Sequence, residues 1–418
     1  MIRSLALWAG IIFIISAVAV NVTGGAFGSI VRLTLSALGF MWVLHRFPRF
    51  RFRTLPPPAI VLVLIVLMSY LSAVWSVSPD ESIFAGYRLL LVFVTVFLIY
   101  DIFRSAKEVW MAMQAYIFGL IFLFAQIFLS FLQGRVTIDE GRIGAEGIHP
   151  NHAAVMLATG LPIAWQLAND RRFRNPITTV FNFAYPLIAI FGVLLTGSRG
   201  GSLACVPGLL FIGYQIVQNP IGIVAVGIGS AVGIPALLTS PIIQANIERL
   251  SSVSENDKFT GRGERWQAAI DLFSSSPIYG VGAGGYRIGA FRIGNYGFGD
   301  GGAFLGAHSV YLQYASELGI IGVSLFILML LLTLRRFWRI EPGYRAAFVI
   351  GLFSLMIAMI SEMLDARYFV WCYIGIGLAL AAVPRRKEVA VNPPRALDHV
   401  PQPEPLARPM SGVGHARS

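Results

Sequence analysis

Residues 56–75 read PPPAIVLVLIVLMSYLSAVW, with no charge anywhere in the run. A helix of about 20 residues rises about 30 Å, the thickness of a bilayer's hydrocarbon core. The run is continuous rather than alternating, so it does not read as a strand of a transmembrane barrel. Its flanks differ. The basic block HRFPRFRFR (45–53) lies upstream, whereas residues 76–82 downstream hold no Lys or Arg. A span with one basic flank also has a direction.

With the same window, further spans fall near 5–22, 26–44, 83–100, 109–131, 151–168, 177–196, 200–217, 220–239, 306–334, 346–363 and 368–383. The expected fold is all-α, a polytopic integral membrane protein with about 12 transmembrane helices. The first span ends in AVAV like a signal peptide but runs straight into the second, so it reads as an uncleaved span. The 418 residues are 56% hydrophobic and 13% charged, where a soluble domain carries about 25% charge. Cys205 and Cys372 both sit in apolar runs, so neither a disulfide framework nor a cysteine metal site is expected. A net charge of +11 would point to nucleic acid in a soluble protein. In a membrane chain it points instead to orientation and to anionic, lipid-linked partners.

Further basic blocks are Arg104 with Lys107, Arg171-Arg172 with Arg174, Arg335-Arg336 with Arg339, and Arg385-Arg386-Lys387. With both termini inside, every block falls on the cytoplasmic side. Residues 1–239 then carry helices 1–9, 240–305 form one long periplasmic loop, and 306–383 carry helices 10–12. The tail 384–418, with seven prolines, is expected to be disordered and cytoplasmic. No internal repeat is present.

The long loop holds TGRGERWQAAIDLF (260–273). Trp266, Ala269, Ile270 and Phe273 recur at helical spacing, which predicts an amphipathic interfacial helix near 261–274 with Thr260 as its N-cap and Ser274-Ser275-Ser276-Pro277 as its end. Arg262 and Arg265 lie in the first turns, where a lone cation opposes the helix dipole and an anion would be held by backbone N–H groups and guanidinium forks together. Arg265 lies about 60° around the helix from Arg262 and is the weaker candidate. Arg199, in TGSRGGS (196–202), repeats the pattern behind the cap Ser198.

Three histidines face the same side: His149, His152 and His308. The pair in His149-Pro150-Asn151-His152 lacks further metal ligands nearby, so the segment reads as a helix break and cap. His308 opens a span and is placed to take a proton from a hydroxyl. Glu317 is nine residues on, half a turn away and about 13 Å deeper on a straight helix. It therefore does not orient His308 and needs another partner, with Arg32 and Arg88 as candidates. There is no P-loop and no HExxH, and the glycines of GVGAGG (280–285) read as turn residues rather than a dinucleotide loop. No metal and no cofactor is expected.

Together, Thr260-Gly261-Arg262 with Trp266, PIYGVG (277–282), HSVYLQ (308–313) with ELGIIG (317–322), Ser198-Arg199-Gly200 and WSVSP (75–79) resemble the O-antigen ligase and polymerase superfamily over roughly residues 65–335. Ser309 departs from the Asn that many members carry there. The resemblance implies an inner-membrane enzyme that performs inverting, metal-independent glycosyl transfer from a polyprenyl-diphosphate-linked glycan. The acceptor is a saccharide or the lipid A core, and other polysaccharide-assembly proteins are further partners. Arg199, Arg262 and Arg265 would bind the diphosphate, His308 would be the catalytic base and Glu317 would be a supporting residue of the site.

Two other readings exist. One is a carboxylate-dependent membrane glycosyltransferase using Asp80 and Glu81, although Ser78-Pro79-Asp80-Glu81 also reads as a simple helix start. The other is a flippase or transporter of lipid-linked sugars, for which repeat symmetry is missing. The topology is checked by labelling. A membrane-impermeant maleimide should modify Asn295→Cys in intact cells, and labelling only after permeabilisation would sink the assignment.

Overall fold

The computed structural model describes residues 1–20, 25–46, 52–135, 142–145, 147–173, 175–218, 244, 262–294 and 306–384. Its helices are α1 (Ile2–Ala19), α2 (Gly25–Arg46), α3 (Pro57–Leu71), α4 (Pro79–Ile102), α5 (Ala106–Leu132), α6 (Pro150–Asn169), α7 (Pro176–Thr196), α8 (Arg199–Val217), α9 (Arg262–Ser275), α10 (Tyr286–Gly294), α11 (Val310–Phe337), α12 (Pro342–Ala358) and α13 (Tyr368–Ala381). Proline opens α3, α4, α6, α7 and α12, where its fixed φ suits the first turn and its missing N–H is no loss. A capping box between Ser105 and Glu108 starts α5.

The chain is a multi-pass helical membrane protein. Among the described residues, seven helices are long and apolar enough to cross a bilayer: α1, α3 with its short extension to Val74, α4, α5, α7, α8 and α11. The shorter apolar helices α12 and α13 join them, and α2 and α6 fill two more of the expected spans. The expected ninth span, 220–239, lies outside the described residues, as do Thr260 and 385–418. Two expected boundaries move. The span expected at 306–334 starts at Val310, so His308 precedes the helix, and the one expected at 346–363 ends at Ala358.

Small residues let the central helices approach closely, as packing within a bilayer favours. A Cβ added to Gly201 would lie 2.2 Å from Ala154, and one added to Gly208 would lie 3.0 Å from Leu161, so α8 runs alongside α6 in the same direction. Polar pairs inside the bundle are satisfied: Gln114 and Asn182 exchange bonds at 3.1 and 3.0 Å, and Tyr116 meets Thr159 at 2.8 Å. Such bonds contribute about 0.6 kcal/mol each between membrane helices.

The two ends of the bundle differ in chemistry. At one, Asp101 gathers the basic blocks: Arg46 Nε lies 3.2 Å away, the Arg53 amide donates to it at 3.0 Å, and Arg104 also pairs with it. Arg172 joins the same end by donating to Glu341 at 2.7 Å, at the start of α12. The opposite end carries the starts of α4, α6, α8, α11 and α13.

At that opposite end α11 breaks. Gly319 has φ 65° and ψ −162° inside the helix. The strap 276–285 fills the break: Ile320 N–H donates to Pro277 O at 2.8 Å, Val281 N–H to Ser316 O at 3.0 Å and Gly282 N–H to Glu317 O at 2.9 Å. Its other edge is held by the α3–α4 turn, where Val77 N–H donates to Val281 O at 3.0 Å and Ser82 Oγ to Ala283 O at 2.7 Å. Trp75 donates to Tyr279 O at 3.3 Å. The glycines of 280–285 are therefore turn residues, as expected.

Helix α9 covers the stretch expected to be helical, but its buried face is rotated. Ala268, Ala269 and Leu272 are buried against Val281, Tyr286, Ala290 and Ala307, whereas Ile270 is 46% exposed. Ala269 keeps its expected place, but the buried face turns towards Ala268 and Leu272, where two adjacent alanines allow a close approach.

The strap contact is testable. A Cβ at Gly319 would lie 2.2 Å from Ile278 O, and one at Gly282 2.2 Å from Ser76 Oγ, both at positive φ. Gly319→Ala and Gly282→Ala should each destabilise the protein by about 2 kcal/mol or more. Gly213→Ala, with nothing within 4 Å of its added methyl, should be neutral or slightly stabilising. Thermal unfolding in detergent separates the two classes.

Candidate active site

The polar end converges on Glu362, in the turn between α12 and α13. This carboxylate is 1% exposed. It accepts from Arg262 Nη2 at 2.8 Å and from Asn151 Nδ2 at 2.8 Å, and His152 Nε2 lies 3.4 Å away. Burial alone would raise its pKa. The His152 hydrogen bond and the charges of His152, Arg262 and His308 outweigh burial and hold the carboxyl below its usual range.

Each neighbour is positioned by its own element. His149 stands at the N-cap of α6, where its Nδ1 accepts from Asn151 N–H at 3.3 Å. This is the break-and-cap role expected of the segment, and it sets the two imidazoles 5.7 Å apart. Arg142, also buried, donates from Nε to Thr196 O at 2.9 Å and from Nη2 to Asn151 Oδ1. It thereby ties the end of α7 to the start of α6. Gly197 closes α7 in the left-handed region, and Ser198 caps α8 by accepting from Gly201 N–H at 3.0 Å. Arg199 follows as the first residue of α8. A Cβ on Gly200 would lie 3.1 Å from Ser361 Oγ, so the Arg199 turn abuts the residue preceding Glu362.

His308 has φ 50° and lies in a short non-helical segment locked onto the same turn. Val310 N–H donates to Met359 O at 3.0 Å, and Ala307 N–H donates to the Gln313 side chain at 2.8 Å. Ser309 is the N-cap of α11. Asn caps helices as well as Ser does, which accounts for the departure from the superfamily pattern at this position. His308 Nδ1 is buried without a hydrogen-bond partner. Burial and then the charge of Arg265 push its pKa down to about 4, against an opposing pull from Glu362 that outweighs the smaller effect of Arg262. The imidazole is neutral at pH 7. Arg265 acts on it more strongly than Arg262, whose guanidinium donates to Glu362 at 2.8 Å.

Glu317 is not partnered by Arg32 or Arg88. Its carboxylate accepts from Tyr286 N–H at 3.3 Å, from the Gly284 amide and from Gln313. It thus caps α10 and pins the strap. It reaches His308 only through Gln313 and the Ala307 amide. Asp80 is exposed and Glu81 half-buried in the first turn of α4. Ser78 stands at the cap position without a side-chain capping bond.

Sequence reading missed Glu362, Arg142 and Asn151. Glu362 was signalled: an acidic residue near the end of the apolar run 346–363 needs a partner for the same reason as Glu317.

The bundle and its charged polar end define a multi-pass membrane protein with a cation-rich site at one end. Residues 184–327 match the O-antigen ligase family, and this match supports the resemblance to the O-antigen ligase and polymerase superfamily. The matched segment contains Arg199, Arg262, Arg265, His308 and Glu317, and it points to lipid-linked glycan transfer of the ligase or polymerase kind in general. No curated protein matches the chain.

Removing the hub carboxylate should be costly. Glu362→Ala leaves Arg262 and His152 without their shared partner, and a loss of about 2–4 kcal/mol is expected. Arg262→Met in the same chain should recover part of it, which a double-mutant cycle measures. Because its folded pKa is low, the Glu362 contribution is present above the usual carboxylate range and lost as pH falls through the folded value.

Proposed function

We propose that the chain transfers a glycan from a polyprenyl-diphosphate-linked donor to an acceptor hydroxyl at the periplasmic face of a bacterial inner membrane, with both termini cytoplasmic. The observation that carries this reading is the neutral, half-buried His308 beside the two arginines of α9, held against the Glu362 turn that the Arg199 turn also touches.

The diphosphate lies at the starts of α8 and α9, where Arg199, Arg262 and Arg265 oppose its charge as it leaves. The acceptor oxygen attacks the anomeric carbon from the face opposite the diphosphate. The carbon–diphosphate bond breaks, the hydroxyl proton passes to the His308 imidazole, and the anomeric centre inverts. The arginines supply the positive charge that the leaving group needs, so no metal is required. Arg262 enters this arrangement already ordered by Glu362. An incoming diphosphate shares its fork rather than freezing a mobile side chain, and that ordering favours binding.

Purified protein with defined lipid-linked donor and acceptor tests the reading. His308→Ala should lower kcat by about 10²–10⁴-fold while donor still binds. Arg199→Lys and Arg262→Lys should both be poorly active, because an ammonium lacks the bidentate fork. The acid limb of kcat/KM should lie well below pH 6.5, towards 4, since only the neutral imidazole accepts the proton. The acid limb of kcat should lie at higher pH, because a bound diphosphate stabilises the imidazolium. A fully active His308→Ala with Asp80→Asn or Glu81→Gln inactive would refute the mechanism. Deleting the gene separates the two outcomes of transfer. Shortened secreted glycan means polymerisation, and unsubstituted core with accumulated lipid-linked polymer means ligation.

A further inference from the structure

An arginine inside an apolar span needs a partner, and three arginines surround the start of α13. Arg88 follows Pro79 by nine residues, about 13 Å along α4, and is exposed. Arg367 stands at the N-cap of α13 and is half-buried. Arg32 is exposed on α2. Trp42 Nε1 donates to Asp101 at 2.9 Å, and a Cβ on Gly39 would lie 4.0 Å from Leu98, so α2 and α4 run side by side in the same direction. The same register sets Arg32 level with Leu91, one turn from Arg88. Arg32 and Tyr87 both lie within electrostatic reach of Tyr368, the first residue of α13.

Among the described residues, the Arg88 and Arg367 guanidiniums make no ion pair and no hydrogen bond. They are near enough to repel each other. Asp365 lies within reach of both, but burial raises its carboxyl above the ordinary range, so it is an incomplete counter-ion. The cavity between Arg88, Asp365 and Glu317 has a volume of about 30 Å³, room for one or two waters. An anion that meets these guanidiniums therefore reaches them from the outer surface of the bundle. That surface is apolar: Ile83, Phe84 and Tyr87 on α4 and Ile30 and Leu33 on α2 are all exposed, as residues facing a bilayer are. Arg88 lies over the Phe84 ring at 5.2 Å. Its side chain thus runs back towards the start of α4, the direction that brings a guanidinium to headgroup depth.

A face open to the bilayer is filled by the bilayer's own lipids, and a local excess of positive charge selects those with an anionic headgroup. Guanidinium forks match the free oxygens of a phosphodiester. We propose that Arg88 and Arg367, with Arg32 beside them, hold the phosphate headgroup of an anionic phospholipid at the flank of the α12–α13 turn. This site is separate from the proposed diphosphate site at the starts of α8 and α9, and it does not depend on the glycosyl-transfer reading. Arg367 is also within electrostatic reach of Glu362, so a lipid held here bears on the turn that organises the polar end.

Native mass spectrometry of the full-length protein in mild detergent tests the site. The probes are dioleoyl phosphatidylglycerol, the zwitterionic dioleoyl phosphatidylcholine and undecaprenyl diphosphate. Phosphatidylglycerol should bind more tightly than phosphatidylcholine. Arg88→Gln and Arg367→Gln should each weaken phosphatidylglycerol by about fivefold or more, the worth of one arginine near an anionic headgroup, and leave phosphatidylcholine unchanged. Arg88→Lys, which keeps the charge, should retain most of the binding. Arg88 is exposed and makes no hydrogen bond, so Arg88→Gln carries the test even where Arg367→Gln lowers stability. Three results would overturn the proposal. One is phosphatidylglycerol binding that Arg88→Gln leaves unchanged. Another is equal weakening by Arg335→Gln, an exposed arginine at the opposite end, which would reduce the effect to general attraction by a basic chain. The third is loss of undecaprenyl diphosphate alone in Arg88→Gln, which would make these arginines part of the donor's path.

Discussion

Once Gly319 leaves the helix, the Ile320 amide and the Ser316 and Glu317 carbonyls lose their partners inside a membrane helix, and the strap 276–285 satisfies all three. Unpaired backbone at that depth costs several kcal/mol per group. The break and the strap therefore exist only together. The strap in turn fixes the start of α10 through Glu317, the packing of α9 through Val281 and Tyr286, and the α3–α4 turn through Val77 and Ser82. Three of the motifs behind the superfamily resemblance, at 75–79, 277–282 and 317–322, meet in this one knot. Their chemistry is that of backbone satisfaction rather than of substrate.

The other motifs gather around a buried carboxylate. Arginines and histidines drawn to one small volume repel one another, and the anion that compensates them must be either the substrate or the protein's own. Glu362 supplies it. It orders Arg262 while leaving the surroundings net positive, as the proposed diphosphate site requires. The suppressed basicity of His308 follows from burial first and from the same crowding second.

Much of this was readable from residues alone. Apolar run length located the helices, the basic blocks that collect at Asp101 and Glu341 marked one end, and cap chemistry found Ser198 and His149. The misreadings share a cause. Periodicity locates a helix but does not say which flank meets a neighbour, so α9 buries Ala268 and Leu272 beside the expected Ala269 and leaves Ile270 outside. Hydropathy windows run through a polar turn when its flanks are apolar, which hid Glu362 and Asp365 inside or beside expected spans. A straight-helix calculation separated Glu317 from His308 correctly. It could not see that a loop from elsewhere in the chain would supply Glu317's partners.

Arg262 and Glu362 are separated by 100 residues in the chain. On a chain made from its N-terminus, the strap emerges before the Ser316–Ile320 segment that it must join, and Arg262 emerges long before its counter-ion. Until the last two helices are in place, α9 has an uncompensated guanidinium and the strap has only the α3–α4 turn to hold it. A nascent chain therefore has most of its helices before it has any site. The charged end is the last part to be assembled, and a chain stopped short of residue 362 lacks the carboxylate on which that end is organised.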